Sequence, residues 1–487
     1  MFGLQMATAG QYGFFGDELY YIACGKNLAF GYVDHPPFVA LIARINLALF
    51  GESLLALRFW SALAGALTVW LTARLARELT GDAFAQGLAA LMILVSSVLP
   101  ALFSFMSMNA FDVLICTVAT LLLMKIVLGA SKKTWLLLGL VMGIGLMNKY
   151  TMLVFGFAIF VGLLATRQRV HLKSPLPYLA GLIAFAIFLP HIVWQITHGW
   201  PTWEFMKNAQ EFKNVAHSPV GFLLQMILTF NPIAFPVWIA GLLYLLFGKA
   251  TARYRFLGIA AVVFLIVYIT QNSKVYYVVP ILPLLLASGS VSISELIRHP
   301  GKGWLRPAII AVLVAGGAVL LPLGVPLLPA DRFIRYSKAI GIWKHVKMEK
   351  GQSETLPLHF VYRFGWEELV RQVADIYHSL PDEERAQCGI LASWYGPAGA
   401  IDHFGPERGL PNAICGRNNY WLWGPGDVTG ERILTVGFHQ EVLKHFFHTV
   451  EKVATFEHPY AYDQTICICR DSVAPLRELW PKVKTYL

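Results

Sequence analysis

Residues 13–37 read GFFGDELYYIACGKNLAFGYVDHPP, and their setting decides the fold. The stretch carries an adjacent acid pair, Asp17 and Glu18, and an Asp34-His35-Pro36-Pro37 turn sixteen residues later. From there to about residue 326 the chain is almost wholly apolar. These four ionisable groups and several aromatics are therefore gathered in one short polar loop beside a membrane-like block.

The composition agrees. Of the 487 residues 56% are hydrophobic and only 14% charged, with mean hydropathy +0.56. A soluble domain carries about 25% charged residues, so this is an integral membrane protein. The net charge of +10 sits in short loops between apolar runs. That pattern reports membrane topology and attraction to anionic membrane lipids, and excludes a nucleic-acid partner. Six cysteines in a chain this long do not form a disulfide scaffold. No internal repeat or low-complexity tract is present.

Apolar runs of spanning or near-spanning length fall at 53–73, 84–104, 110–129, 134–148, 150–166, 176–197, 219–247, 254–271, 275–291 and 304–326. A helix needs roughly 17–25 residues to cross, so 134–148 and 275–291 are the shortest candidates. Residues 134–166 read either as one bent helix or, with Asn148-Lys149-Tyr150 in the middle, as two. About ten transmembrane helices are expected. Every second loop is then basic: Arg74 and Arg77; Lys132 and Lys133; Arg167, Arg169 and Lys173; Lys249, Arg253 and Arg255; Arg298, Lys302 and Arg306. The positive-inside rule places these five loops in the cytoplasm. The loops holding Met108, Lys149, residues 198–218 and residues 271–277 then face outward, with the opening loop and the C-terminal tail. An outward opening loop needs a helix or signal before it. Residues 1–12 are too short and polar to serve, so a further upstream helix is expected, unless the short N-terminus crosses alone.

Beyond about residue 330 charges, aromatics and turn dipeptides return. Strand-like runs at 357–362, 388–394, 432–438 and 465–470 and helical patterns at 366–380 and 439–450 predict a small α/β or α+β domain on the outer face. The chain divides into a membrane domain, 1–326, with its first outer loop at 13–52, and a soluble domain, 327–487. Cys388 and Cys415 sit where a disulfide is permitted. Cys467 and Cys469 alternate along one strand, are expected on opposite faces, and read as packing residues.

Several polar groups are candidates for chemistry. Asp17 and Glu18 either cap the helix that starts near Leu19 or hold a carboxylate at membrane level as a general base. Asp34-His35-Pro36-Pro37 is a rigid turn that starts helix 38–50, or it supplies a second acid with His35 as a phosphate or acceptor contact. Two acids from one loop could instead hold a divalent cation through oxygen ligands. Asn109 and Asp112 open a span, where an aspartate is a functional candidate. Lys149-Tyr150 and Lys274-Val275-Tyr276-Tyr277 put cations and aromatics at outer helix ends. They serve as an interfacial belt or as a clamp on a leaving lipid phosphate. His191, Trp194, His198 and Trp200 have a spacing that suggests metal binding, but read better as interfacial capping.

In order, GDELYY, GYVDHPPFVALIARI, SMNAFDVL, GLMNKYTML, WQITHGWPTWEF, NP-x-x-x-P and KVYYVVPILPLLLASG resemble the bacterial glycosyltransferase family 39 proteins. These are similar to protein O-mannosyltransferases and to the lipid A aminoarabinose transferase. The resemblance covers about residues 13–295, and WYGPAGAIDHFG and GRNNYWLWGPGD resemble the outer domain of the same subgroup. It implies a GT-C fold and transfer of a sugar from a polyprenyl-phosphate carrier to a glycolipid, polysaccharide or protein acceptor on the outer face of the bacterial cytoplasmic membrane, with inversion. It implies Asp17 as base and Asp34 as the second loop acid. His35 stands where the aminoarabinose enzymes have Lys, leaving Lys149 and Lys274, with Tyr276 and Tyr277, for the carrier phosphate. Asn109, Asp112 and Tyr150 would position the substrates. No cofactor is required by this reading, with Mg or Mn as an option. Two rivals stand beside it: a polytopic transporter, and a non-catalytic glycan-binding assembly protein.

Overall fold

The computed structural model describes residues 1–341 and 356–487. All ten apolar runs are helical, and the two-helix reading of 134–166 holds, with helices Lys132–Asn148 and Thr151–Leu164. Among the described residues six helices are long and apolar enough to cross a membrane alone, and two bent pairs raise the number to eight at most. The protein is thus a multi-pass helical membrane protein whose ten runs are not ten straight spans. The run 219–247 is bent by 102° between Pro219–Phe230 and Pro232–Phe247. Pro232 cannot donate to the preceding turn, and Asn231 takes a positive φ of 82° there. Its amide donates to the Val95 carbonyl at 2.6 Å. Val95 is itself the end of helix Ala83–Val95, where the run 84–104 breaks before Val98–Phe103. The side chain at one helix break therefore satisfies a backbone carbonyl freed at the other.

Close helix packing rests on small residues. A Cβ on Gly241 would strike the Leu285 carbonyl, and one on Gly289 would strike that of Val237. Helices Phe235–Phe247 and Leu282–Leu296 meet through this reciprocal contact.

The five basic loops gather at one end of the bundle. Tyr254 donates to the Glu78 carbonyl at 3.3 Å and Gln168 to that of Arg253 at 3.1 Å. The Trp135 and His171 rings are 6.0 Å apart. Arg298 and Arg306 pair with Asp82 at 3.8 and 3.3 Å. At the opposite end Asn214 donates to the Asn272 carbonyl at 3.4 Å, and Lys484 pairs with Glu204 at 2.6 Å. The alternation read from the loops is thus a real division between two ends.

The C-terminal region is built on a five-stranded sheet: β1 (Cys388–Ala392), β2 (Ala413–Cys415), β3 (Arg432–Val436), β4 (Phe447–Phe456) and β5 (Gln464–Ser472), in the order β2-β1-β3-β5-β4. β1 is parallel to β2 and β3, while β5 is antiparallel to β3 and β4. Two expectations fail here. The run 357–362 is not a strand but holds a single helical turn, Leu358–Val361, whose N-cap is Pro357. The expected helix 439–450 is one turn, Gln440–Leu443, followed by β4. β4 is a largely exposed edge strand, so its polar residues hide the alternation a half-buried strand would show. Cys388 and Cys415 are free. Cys415 pairs in register with Ala392, four residues along β1 from Cys388, which is about 13 Å away in a strand. Cys467 and Cys469 share a face rather than opposing one another, because side chains two apart on a strand point the same way. Both join the layer of Leu391, Leu443 and Trp480.

The sheet region packs directly on the opening loop. One apolar cluster runs from Phe14, Leu19 and Tyr20 through Leu369, Ile390, Ala398 and Leu434. Gly399 permits this, since a Cβ there would lie 3.0 Å from that of Leu19.

Candidate functional site

Helix Gly16–Lys26 begins at the membrane end of the loop and sends its first two acids to different places. Glu18 is fully buried. It accepts from Arg58 Nε at 3.0 Å and Nη2 at 2.8 Å, and from the backbone N–H groups of Phe15 and Met106 at 2.8 Å each. Arg58 also donates to the carbonyls of Ala9 and Gly13. With its oxygens fully engaged, Glu18 is a structural clasp, and the catalytic candidacy of the pair falls to Asp17.

Asp17 lines a cavity of about 490 Å³ between the helical bundle and the sheet region. Its floor is apolar, from Leu102, Leu228, Leu320 and Leu323. Its other wall carries Tyr362, Trp394 and Tyr395. Asn109, Lys213, Lys274, Tyr276 and Arg417 are among its other polar residues. Burial pushes the Asp17 carboxyl up to about 6, against the pull of Lys213, a hydrogen bond from Tyr395 and the more distant Lys274, while Asp34 pushes with burial. A carboxylate with that value is ionised at neutral pH and able to take a proton.

Asp34 is near Asp17 but behind a screen. Tyr395 donates to Asp17 Oδ1 at 3.1 Å, Tyr20 donates to Asp34 Oδ1 at 2.9 Å, and the two tyrosine rings stack at 4.7 Å. The acids are therefore joined through the tyrosines and do not converge on a shared point. Among the described residues no three His, Cys, Asp or Glu side chains come together as metal ligands. The donor set of the described residues does not fit a Mg or Mn site.

His35 is buried in an aromatic cage, stacked on Tyr32 at 4.7 Å and edge-on to Tyr21 at 5.2 Å. Its Nδ1–H donates to the Pro36 carbonyl at 2.8 Å. Burial holds it below its ordinary pKa, so it is a neutral packing group. It is not among the residues that line the cavity.

The remaining candidates divide. Lys149 donates to Asn109 Oδ1 at 2.7 Å, pairs with Asp112 at 3.8 Å and lies 4.3 Å from the Tyr277 ring centre. Asp112 is buried, so Lys149 supplies its counter-charge and orients Asn109. Lys149, Asp112 and Tyr277 stand beside the cavity wall, whereas Asn109, Lys274 and Tyr276 form it. Tyr150 belongs elsewhere, in a membrane-level groove with Thr202 and His191. It donates to His191 Nε2 at 2.6 Å, and His191 Nδ1–H donates to the Phe30 carbonyl at 2.9 Å. His198 stacks on Trp194 at 4.2 Å. The histidine-tryptophan cluster thus clasps helix Leu176–Thr197 to the opening loop.

Sequence reasoning missed Lys213, Tyr395 and Arg417. Tyr395 lies in WYGPAGAIDHFG and Arg417 in GRNNYWLWGPGD, both singled out as motifs without a role for either residue. Lys213 follows WQITHGWPTWEF by eight residues with no local signal, in a segment of π-helix, Ala209–Lys213.

A bundle with interrupted helices, an acid-bearing first loop on a cavity at one end and a sheet region closing it define the class: this is the GT-C glycosyltransferase fold. The comparisons say the same. Residues 34–194 match the family model described as dolichyl-phosphate-mannose-protein mannosyltransferase. The structure is similar to that of ArnT from Cupriavidus metallidurans bound to undecaprenyl phosphate, with a TM-score of 0.61, 15% identity and 96% of each chain covered. The apo state of that protein gives a TM-score of 0.60 at 16% identity, again with 96% of each chain covered. The Archaeoglobus fulgidus oligosaccharyltransferase tethered with an acceptor peptide matches at a TM-score of 0.50 and 13% identity, covering 82% of this chain and 60% of that one. No curated protein matches the chain in sequence. The resemblance read from the motifs therefore holds for the fold along nearly the whole chain.

Proposed function

We propose that this protein moves a sugar from a polyprenyl-phosphate donor to an acceptor hydroxyl or amine at the outer face of the bacterial cytoplasmic membrane. The observation that carries the reading is one cavity holding Asp17, three cations and an apolar floor set in the membrane block. The floor suits a prenyl chain. Lys213, Lys274 and Arg417 suit the phosphate at its head, and Asp17 lines the same cavity.

In the transfer, the acceptor oxygen or nitrogen forms a bond to the anomeric carbon as the bond from that carbon to the phosphate oxygen breaks. The phosphate leaves with the electron pair, stabilised by the cations, and the acceptor's proton passes to Asp17. Holding base and phosphate on opposite sides of the sugar requires in-line attack and gives inversion. Tyr395 and Lys213 favour the ionised form of Asp17, and Asp34 acts on it through its charge and through the stacked Tyr20 and Tyr395. ArnT was crystallised with undecaprenyl phosphate and the archaeal enzyme with an acceptor peptide, so a polyprenyl carrier and a peptide acceptor are each compatible with this fold.

The test is transfer in membranes supplied with radiolabelled polyprenyl-phosphate sugars, wild type against Asp17→Asn. Label should move to a non-carrier product in wild type, with the rate unchanged by a chelator, and should be lost in the variant. A variant as active as wild type would sink Asp17 as the base. A wild type inert with every donor would favour the transporter or assembly-protein reading.

A further inference from the structure

Two of the cavity cations stand on segments that meet at one place. Lys213 ends a continuous helical stretch, Pro201–Asn208 followed by the π-turn Ala209–Lys213, between helices Leu176–Thr197 and Pro219–Phe230. Arg417 lies in the sheet region, between β2 and the helical turn Asn418–Trp423. The short segment Lys484–Leu487 touches both.

On one side this segment grips the helix. Glu204 and Asn208 are four residues apart and so share a face. Glu204 pairs with Lys484 at 2.6 Å, and Asn208 Nδ2 donates to the Tyr486 carbonyl at 2.9 Å. Lys484 is itself held by the rings of Tyr486 and Trp421, at 4.2 and 5.2 Å from their centres. On its other side the segment runs along Gly416–Asn418. The Thr485 N–H donates to the Gly416 carbonyl at 2.8 Å, the Asn418 N–H to the Thr485 carbonyl at 3.0 Å, and the Leu487 N–H to Asn418 Oδ1 at 3.0 Å. Arg417 Nε donates to the Leu487 main-chain oxygen at 2.7 Å, and both residues line the cavity. Gly416 admits this approach, since a Cβ there would strike the Val483 carbonyl. Beyond Lys213 the helical stretch is tied down again, where Asn214 donates to the Asn272 carbonyl at 3.4 Å, two residues before Lys274.

We infer that Glu204 and Asn208, seated on Lys484–Leu487, are positioning residues that hold Lys213 on the cavity, and that the same segment fixes Arg417 there. The inference rests on the transferase reading and adds to it the groups that set the charge around the base. Asp17 is faced by Tyr395, which donates to it, by Tyr21, by Lys213, Lys274 and Arg417, and through charge by Asp34. Burial raises the Asp17 carboxyl, and Lys213 is foremost among the groups opposing that rise. Releasing Lys213 leaves burial less opposed, so Asp17 would take up its proton at a higher pH. A partly exposed ion pair adds little to stability, so the consequence of losing Glu204 and Asn208 lies in the placement of Lys213 and not in whether the chain folds.

The experiment compares the full-length wild type with Glu204→Gln plus Asn208→Leu. Ionisation of Asp17 is read without turnover, as the difference in thermal unfolding in detergent between each chain and its own Asp17→Asn derivative from pH 4 to pH 8. That difference should level off near pH 6 in wild type and at least about half a unit higher in the released variant, the effect of moving a nearby charge away. The acid limb of sugar transfer should move by the same amount. Lys213→Met should give this displacement by itself, and adding Glu204→Gln and Asn208→Leu to it should give no more, because the two act through one group. Exchanging the charges, Glu204→Lys with Lys484→Glu, should restore most of the wild-type profile. An unchanged levelling pH in the released variant, a further displacement on top of Lys213→Met, or a loss of folded yield without displacement would each overturn the inference and leave the segment a fold contact only. A wild type inert in transfer counts against the transferase reading, while the unfolding difference still decides whether Glu204 and Asn208 position Lys213.

Discussion

Asp17 and Glu18 are neighbours on one helix turn and have opposite fates. Glu18 faces inward, where Arg58 and two backbone N–H groups meet every demand of its charge. Asp17 faces the cavity, where burial raises its pKa to about 6 and the nearby cations only partly offset this. A rotation of about 100° per residue along the helix separates a charge that holds the fold from a charge the fold pays to keep. The difference teaches that in an acid pair the unsatisfied member is the functional candidate.

The sharpest way to break this comparison is to neutralise each acid. Asp17→Asn should cut sugar transfer by about 10²–10⁴-fold, the range of general-base loss, with folded yield unchanged. Glu18→Gln should leave Arg58 uncompensated in the interior. It should lower stability by about 3–5 kcal/mol, read by thermal unfolding in detergent, and the double variant with Arg58→Met should recover part of that loss. If Glu18→Gln folded normally but lost only transfer, the assignments would be reversed.

The pH dependence sharpens it further. Asp17 has a folded pKa of about 6, above the usual unfolded value near 3.9. The fold therefore disfavours its ionised form. The penalty is absent below about pH 4, grows between pH 4 and 6, and is complete above. Asn at this position removes it, so Asp17→Asn should be more stable than wild type at pH 8, by up to about 3 kcal/mol, and equally stable at pH 4, as read by thermal unfolding. Transfer by wild type should fall about tenfold per unit below pH 6, as the base becomes protonated. A pH-independent stability difference would show that Asp17 is not held in this state.

How much of this was readable in advance depended on whether the signal was local. The membrane block, the paired helices around Lys149 and the grouping of basic loops follow from runs of one residue class. Asp17 was legible as an acid at a helix start. What separated it from Glu18 was Arg58, forty residues on, and the Met106 backbone, neither marked by any pattern near the pair. The burial of His35 was hidden for the same reason: its cage of tyrosines is visible only in three dimensions. Lys213 and Arg417 reach the cavity from a π-helical segment and from the sheet region, so no spacing along the chain could bring them together with Lys274. The 219–247 run was read as continuous although Asn231-Pro232 carried the break.

The smallest effect separates the two lysines that the sequence treated alike. Lys274 lines the cavity with Tyr276, whereas Lys149 is spent on Asp112 and Asn109. Lys274→Met should weaken binding of undecaprenyl phosphate about tenfold, the loss expected for one charge-assisted contact. Lys149→Met alone would strand Asp112, so the informative variant is Lys149→Met with Asp112→Asn, which removes both charges together. That double variant should bind the same lipid within about threefold of wild type, because the remaining cavity cations are untouched and no buried charge is left alone. A tenfold loss there, with Lys274→Met silent, would move the phosphate to the Lys149 side of the wall and would place the sugar, and the line of attack from Asp17, differently.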